Sequence, residues 1–330
     1  MYRNLNTQTL GITGRQSELI ELALSNGFKG VSVDMIDLAA RAANYGVQHV
    51  CRFHKSAKIH IGTFELPDAW KGTDEQFQAF LATDLPRYRE LAREIEAHRA
   101  VMTVEPGSDS LPYHENFEIH RQRLAAIAEQ LAEDDIRLGL GLRAARAARQ
   151  ELAYQFIYQV DDLLTLIKMV GAPNVGLWYD AWNWKVGGGT FDQFREFPVE
   201  ELVAVDLADA PAEVDLAEIT EEQRLLPGEG GVIDCQAIVN TLRDADYDGP
   251  VTPAPHRAAL AGMTRGEVVY AASRSLELLW QGAGLSRPVV PIAAAAVDET
   301  AEAATREPEA AEETVAEAAT ETAGEGNPSA

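Results

Sequence analysis

The run Ile136-Arg137-Leu138-Gly139-Leu140-Gly141-Leu142, a helical stretch at Val160–Val170, and then Val175-Gly176-Leu177-Trp178-Tyr179-Asp180 decide the fold. Alternate residues of a strand share a face, so Leu138, Leu140 and Leu142 point one way and Gly139 and Gly141 the other. Strand, helix and strand in close succession make one β/α unit of a parallel sheet.

The same alternation extends outward in both directions. Strands are predicted at residues 9–13, 30–35, 58–64, 100–104, 136–142, Val175–Asp180, Leu202–Leu207 and 251–253. Between them lie helical stretches. One passes through Glu18, Leu19, Leu22 and Ala23 and is closed by Asn26-Gly27, both tolerant of the left-handed C-cap. Another spans 75–97 with a break at Pro86. A third, at 115–132, places Phe117, Leu124, Ile127 and Leu131 on one stripe, and the last runs from Thr264 to Trp280. Eight strands separated by helices argue for a closed (β/α)8 TIM barrel, with an open sheet of six or more strands as the alternative. A single barrel domain commonly takes roughly 250 residues, so residues 1–285 are read as one barrel. From 286 to 330 the text turns to Pro, Ala, Glu and Thr without apolar period, the composition of a disordered acidic tail.

The formal net charge is −24; from Asp298 onward ten acidic residues stand against one Arg, which leaves −15 on the body. Nucleic acid and anionic membrane surfaces need basic patches, so neither is an expected partner. Cys51 and Cys235 form no disulfide framework or zinc-finger spacing. Without a signal peptide or an apolar run of about 18 residues, the expected location is cytoplasmic. His-Glu-x-x-His, Gly-x-Ser-x-Gly and Gly-x-Gly-x-x-Gly are absent, and Pro227-Gly228-Glu229-Gly230-Gly231 lacks the Lys-Ser/Thr pair of a phosphate loop.

Several longer phrases carry a resemblance. They are Ser108-Asp109-Ser110-Leu111-Pro112-Tyr113-His114-Glu115-Asn116-Phe117, Asn174 through Trp184, Asp209-Ala210-Pro211, Arg224 through Gly230, and Tyr247-Asp248-Gly249-Pro250-Val251-Thr252. In order and spacing the chain resembles the sugar phosphate isomerase/epimerase group of the xylose isomerase-like barrels. The resemblance implies a divalent cation, Mn2+ or Mg2+, at the C-terminal mouth. Its ligands would be a Glu ending strand five, an Asp ending strand six, a His on strand seven and a Glu on strand eight. The cation would polarise a carbonyl and the two glutamates would exchange a proton.

At those positions this chain reads Gly141, Asp180, Asp206 and Ala254, and the His that follows strand six in the family is Asn183. Two ligand positions are therefore empty, and the remaining metal candidates are Asp180 and Asp206. The resemblance also makes Arg224 a substrate contact. With Trp182, Asp180, Asp206 and His256 it forms the expected site for a small sugar or polyol. Trp184 is a second candidate wall, Trp178 is read as interior filling, and His60 as inward-facing or near the mouth. Arg143, two residues beyond Gly141, is expected to reach the same mouth and bridge Asp180 and Asp206 where a cation would sit; the alternatives are an Arg143 in solvent or a smaller metal site of Asp180, Asp206 and His256. Two functions remain open: a sugar isomerase/epimerase with a rebuilt site, and a non-catalytic barrel that binds a metabolite or protein. The DNA-repair endonuclease branch needs many extra His ligands and a basic groove, which this acidic sequence lacks.

Overall fold

The computed structural model describes residues 1–287. Strands β1 (Tyr2–Leu5), β2 (Gly30–Val33), β3 (His60–Glu65), β4 (Arg99–Val104), β5 (Arg137–Leu142), β6 (Val175–Asp180), β7 (Leu202–Leu207) and β8 (Pro250–Pro253) are all parallel to their neighbours. They close in the order β1-β8-β7-β6-β5-β4-β3-β2, which rules out the open sheet. A two-stranded antiparallel ribbon, Gly107–Ser108 with Tyr154–Gln155, lies beyond the ends of β4 and β5.

Strand β1 comes earlier than the predicted residues 9–13. Tyr2 and Arg3 pair with Pro250 and Val251, and Asn4 and Leu5 pair with Gly30 and Val31. Residues 9–13 belong to the turn after β1, tied by the Ile12 N–H to the Thr7 carbonyl at 2.8 Å, and this turn carries Thr9 to the mouth. Strand β2 stops at Val33 because the Asp34 carboxylate caps a helix, accepting from the Asp37 N–H at 2.9 Å. Two helices absent from the sequence reading follow, Met35–Tyr45 and Val47–Ala57. The long helix at 75–97 is in three parts, Asp74–Ala79, a π-helical turn Phe80–Asp84, and Leu85–Glu94. Pro86 lacks an N–H, so it is tolerated only in the first turn of the last part, and the ladder breaks just before it.

The main core lies between sheet and helices. Leu138, Leu140 and Leu177 on the outward face of the barrel meet Leu124, Ile127, Leu131, Leu163 and Leu166, all of them buried. Each such side chain contributes roughly 2 kcal/mol of apolar burial. Inside the barrel the layer toward β1 is polar. Asn4 donates to the Ser32 and Thr252 hydroxyls at 2.9 and 3.0 Å, and the Ser32 and Thr63 hydroxyls pair at 2.8 Å. No helix among the described residues is long and apolar enough to cross a membrane. The acidic tail read from residue 286 onward falls almost wholly outside the described residues.

Candidate functional site

Sites on this fold sit where the strands end, at the C-terminal mouth. There a cavity of about 240 Å3 is lined by Thr103, Trp178, Asp180, Asp206, Arg224 and His256, among others. Strand pairing explains the convergence. Asp206 lies opposite both Asp180 and Thr252 in the ladders, and Thr103 lies opposite Gly141. Four of the five residues expected to bind a ligand therefore share one space.

Asp180 ends β6 and caps the short helix Ala181–Val186. Its Oδ1 accepts from the Asn183 backbone N–H at 2.9 Å, and its Oδ2 accepts from Asn183 Nδ2 at 3.1 Å and Arg224 Nη2 at 2.6 Å. Asn183 is itself fixed, its Oδ1 accepting from the Ala144 N–H at 3.0 Å. Arg224 also donates from Nε to the Ala254 carbonyl at 3.1 Å, and its guanidinium carbon lies 5.2 Å from the Trp182 ring centre. Neither charged side chain is more than 12% exposed, so this is a partly desolvated, charge-assisted contact rather than a surface ion pair. Arg224 lines the cavity, and its Nη1 makes no hydrogen bond among the described residues.

Asp206 is buried, and its carboxyl is pushed up to about 7. Burial is the main cause, and neighbouring Asp180 adds to it. The Arg224 guanidinium acts in the opposite direction. His256 caps a turn, its Nδ1 accepting from the Ala258 N–H at 3.2 Å, which places the proton of the neutral ring on Nε2.

Several side chains lie elsewhere than the sequence suggested. Arg143 borders the cavity but pairs with Glu221 at 3.2 Å and Glu105 at 3.6 Å, not with Asp180 and Asp206. The cation beside Asp180 is Arg224. Trp182 is completely buried beneath that guanidinium and does not line the cavity. Trp184 is buried as well, donating to the Thr190 carbonyl at 2.9 Å and packing on Tyr179. The aromatic wall is Trp178. His60, expected inward or near the mouth, is exposed at the opposite end of the barrel, stacked 4.8 Å from Tyr2. The sequence reading missed Thr103, Glu221 and the cavity-lining role of Asn183; only the Thr103 strand-end position carried a signal.

The residues present do not fit the divalent cation implied by the resemblance. A Cβ at Gly141 would lie 2.6 Å from Trp178 Cε3, so the indole fills the space where a strand-five side chain would begin. Asp180 is committed to Arg224 and Asn183, and Ala254 offers only its carbonyl, already taken by Arg224. Among the described residues no group of three or more His, Cys, Asp or Glu is placed to hold a metal ion.

A family model described as xylose isomerase-like TIM barrel matches residues 20–277. Among solved structures, a xylose isomerase domain protein from Alicyclobacillus acidocaldarius is 24% identical, with a TM-score of 0.76 over 86% of this chain and 99% of that one. The IOLI protein with a bound zinc atom is 14% identical, with a TM-score of 0.70 over 85% and 98%. D-psicose 3-epimerase with D-tagatose, from Clostridium cellulolyticum H10, is 13% identical, with a TM-score of 0.67 over 86% and 99%. No curated protein matches the chain.

Proposed function

Since the chain belongs to the xylose isomerase-like TIM barrel family, we propose that its C-terminal mouth binds a small carbohydrate or polyol, and that it does so without a divalent cation at the inherited position. The observation that carries this reading is the Arg224–Asp180 contact at 2.6 Å in the wall of the cavity. A fixed guanidinium there supplies positive charge and hydrogen-bond donors to a ligand oxygen, the binding part of a cation's role. Asp206 and Thr103 offer partners for hydroxyl groups, and the Trp178 face suits the C–H surface of a sugar. The volume, about 240 Å3, is below the roughly 300–1,000 Å3 of sites for drug-sized ligands and suits a small polar molecule. Fold likeness to an epimerase crystallised with D-tagatose supports the same substrate class.

The two proton-exchanging glutamates implied by the resemblance are replaced by Gly141 and Ala254. The residues therefore support binding rather than the inherited isomerisation. The test is calorimetric titration of chelator-treated protein with ketohexoses, aldohexoses and alditols, with and without added Mn2+. At least one ligand is expected to bind with the same affinity in both conditions. Binding that requires Mn2+, or by no member of the series, overturns the proposal. Deuterium incorporation from D2O into a ketohexose during incubation would overturn the restriction to binding.

A further inference from the structure

Resting on that reading, we infer that the ligand is an unphosphorylated polyhydroxy carboxylate, such as a hexonate, whose carboxylate is held by Arg224. Two independent features of the mouth lead there.

The first is that the loop after β7 leaves no cradle for a phosphate. In this fold phosphate groups are frequently held by backbone N–H groups in the loops after strands seven and eight. The loop after β7 does gather such N–H groups, but Asp209 occupies them. Its fully buried carboxylate accepts from the Gly230 and Gly231 N–H at 2.9 and 2.7 Å through Oδ2. Through Oδ1 it accepts from Ala210, Val232 and Ile233 at 2.8, 3.1 and 2.9 Å. A concave set of N–H groups is an anion site by construction, and here the anion is built in. No cradle is left in that loop for a phosphate ester.

The second is the character of what replaced the metal. A divalent cation recognises an adjacent carbonyl and hydroxyl through a hard oxygen shell. A guanidinium held by part of its fork still presents a fixed, charged N–H donor, for which a carboxylate is a strong partner. Arg224 is held on three sides, by the Ala254 carbonyl, the Asp180 carboxylate and the Trp182 face; it lines the cavity, and Nη1 makes no hydrogen bond among the described residues. His256 stands beside it, its backbone N–H donating to the Arg224 carbonyl at 3.0 Å, and the ring adds an Nε2 donor to the same wall. Of the carboxylates lining the mouth, Asp180 is paired with Arg224 and Glu221 with Arg143, while Asp206, on β7, has no ion-pair partner among the described residues. A ligand with an anionic head and a hydroxylated chain matches that polarity better than one neutral at both ends.

The experiment is calorimetry on the full chain with stereoisomeric hexonates, the corresponding alditols, and the 6-phosphorylated hexonates. The best hexonate is expected to bind at least about tenfold tighter than its alditol, one charge-assisted contact's worth, and the phosphate is expected to weaken it. In Arg224→Lys, which keeps the charge and loses the positioned Nη1 donor, the preference for the hexonate is expected to collapse to less than about threefold. Equal binding of alditol and hexonate by the wild-type protein overturns the inference and leaves the sugar-binding proposal standing. Tighter binding of the phosphorylated compound overturns it in the same way. Failure of this panel together with that of the ketohexoses and aldohexoses of the first titration overturns both.

Discussion

Replacing Asp206 with Asn removes a carboxyl that the fold holds at an unfavourable protonation level. Its proton dissociates at about 7 in the folded protein against an ordinary 3.8, a difference of roughly 3 pKa units. At about 1.4 kcal/mol per unit the upper bound on the linked free energy is about 4 kcal/mol, and relaxation around the charged form brings it to about 2 kcal/mol. The folded state holds this proton more tightly than the unfolded chain, so its contribution to stability is complete below the unfolded value, near pH 4. It is lost as the pH rises through about 7. Asn keeps the shape but does not titrate. The stability of Asp206→Asn relative to wild type is therefore expected to rise between about pH 5 and pH 8 by roughly 1–3 kcal/mol, a relative gain in Tm on the order of 5 °C. The buried residues His54 and His120, both pushed down to about 4, oppose folding as the pH falls, but they are common to both proteins and cancel in the difference. Differential scanning calorimetry of the pair across that range is the assay. A Tm difference that stays flat, or shrinks toward high pH, would refute the argument that Asp206 is desolvated beside Asp180.

Arg224→Gln leaves the Asp180 carboxylate partly buried without its cation; a loss of about 3 kcal/mol is expected by urea unfolding, since stranding one partner of such a pair is costly. Gly141→Glu drives a side chain into the Trp178 indole and is expected to cost about 1–3 kcal/mol. Adding Trp178→Ala should recover part of that loss, so that a double-mutant cycle shows clear coupling. Asp209→Ala empties the nest at Gly230, Gly231, Val232 and Ile233, and is expected to cost on the order of 3 kcal/mol and to make the 224–233 loop a site of limited proteolysis.

The strands that were legible are those whose neighbours bury them on both sides. Val175–Asp180 and Leu202–Leu207 begin and end where the apolar runs do. Strand β1 was not, because Tyr2-Arg3-Asn4-Leu5 has no such run. Its inward residue, Asn4, belongs to the polar layer with Ser32 and Thr252, and a polar interior cannot be told from a surface by hydrophobicity alone. The site divides along the same line. Positions at strand ends were placed by parity and topology, which is why Asp180 and Asp206 meet across one ladder. Parity ends with the strand. At Ala181 the chain turns into a helix, so Trp182 no longer alternates with Asp180 and passes beneath Arg224 instead of beside the cavity. Arg143 shows the other limit. Its position two residues beyond Gly141 brought it to the mouth, but which carboxylate met it there depended on Glu105 at the end of β4 and Glu221 in the loop after β7. Those two pair with Arg143, while Arg224 enters from the same β7 loop and takes Asp180. The identity of the cation beside Asp180 was thus decided by loops whose meeting is long-range, and no local pattern around residues 141, 180 or 206 contained it.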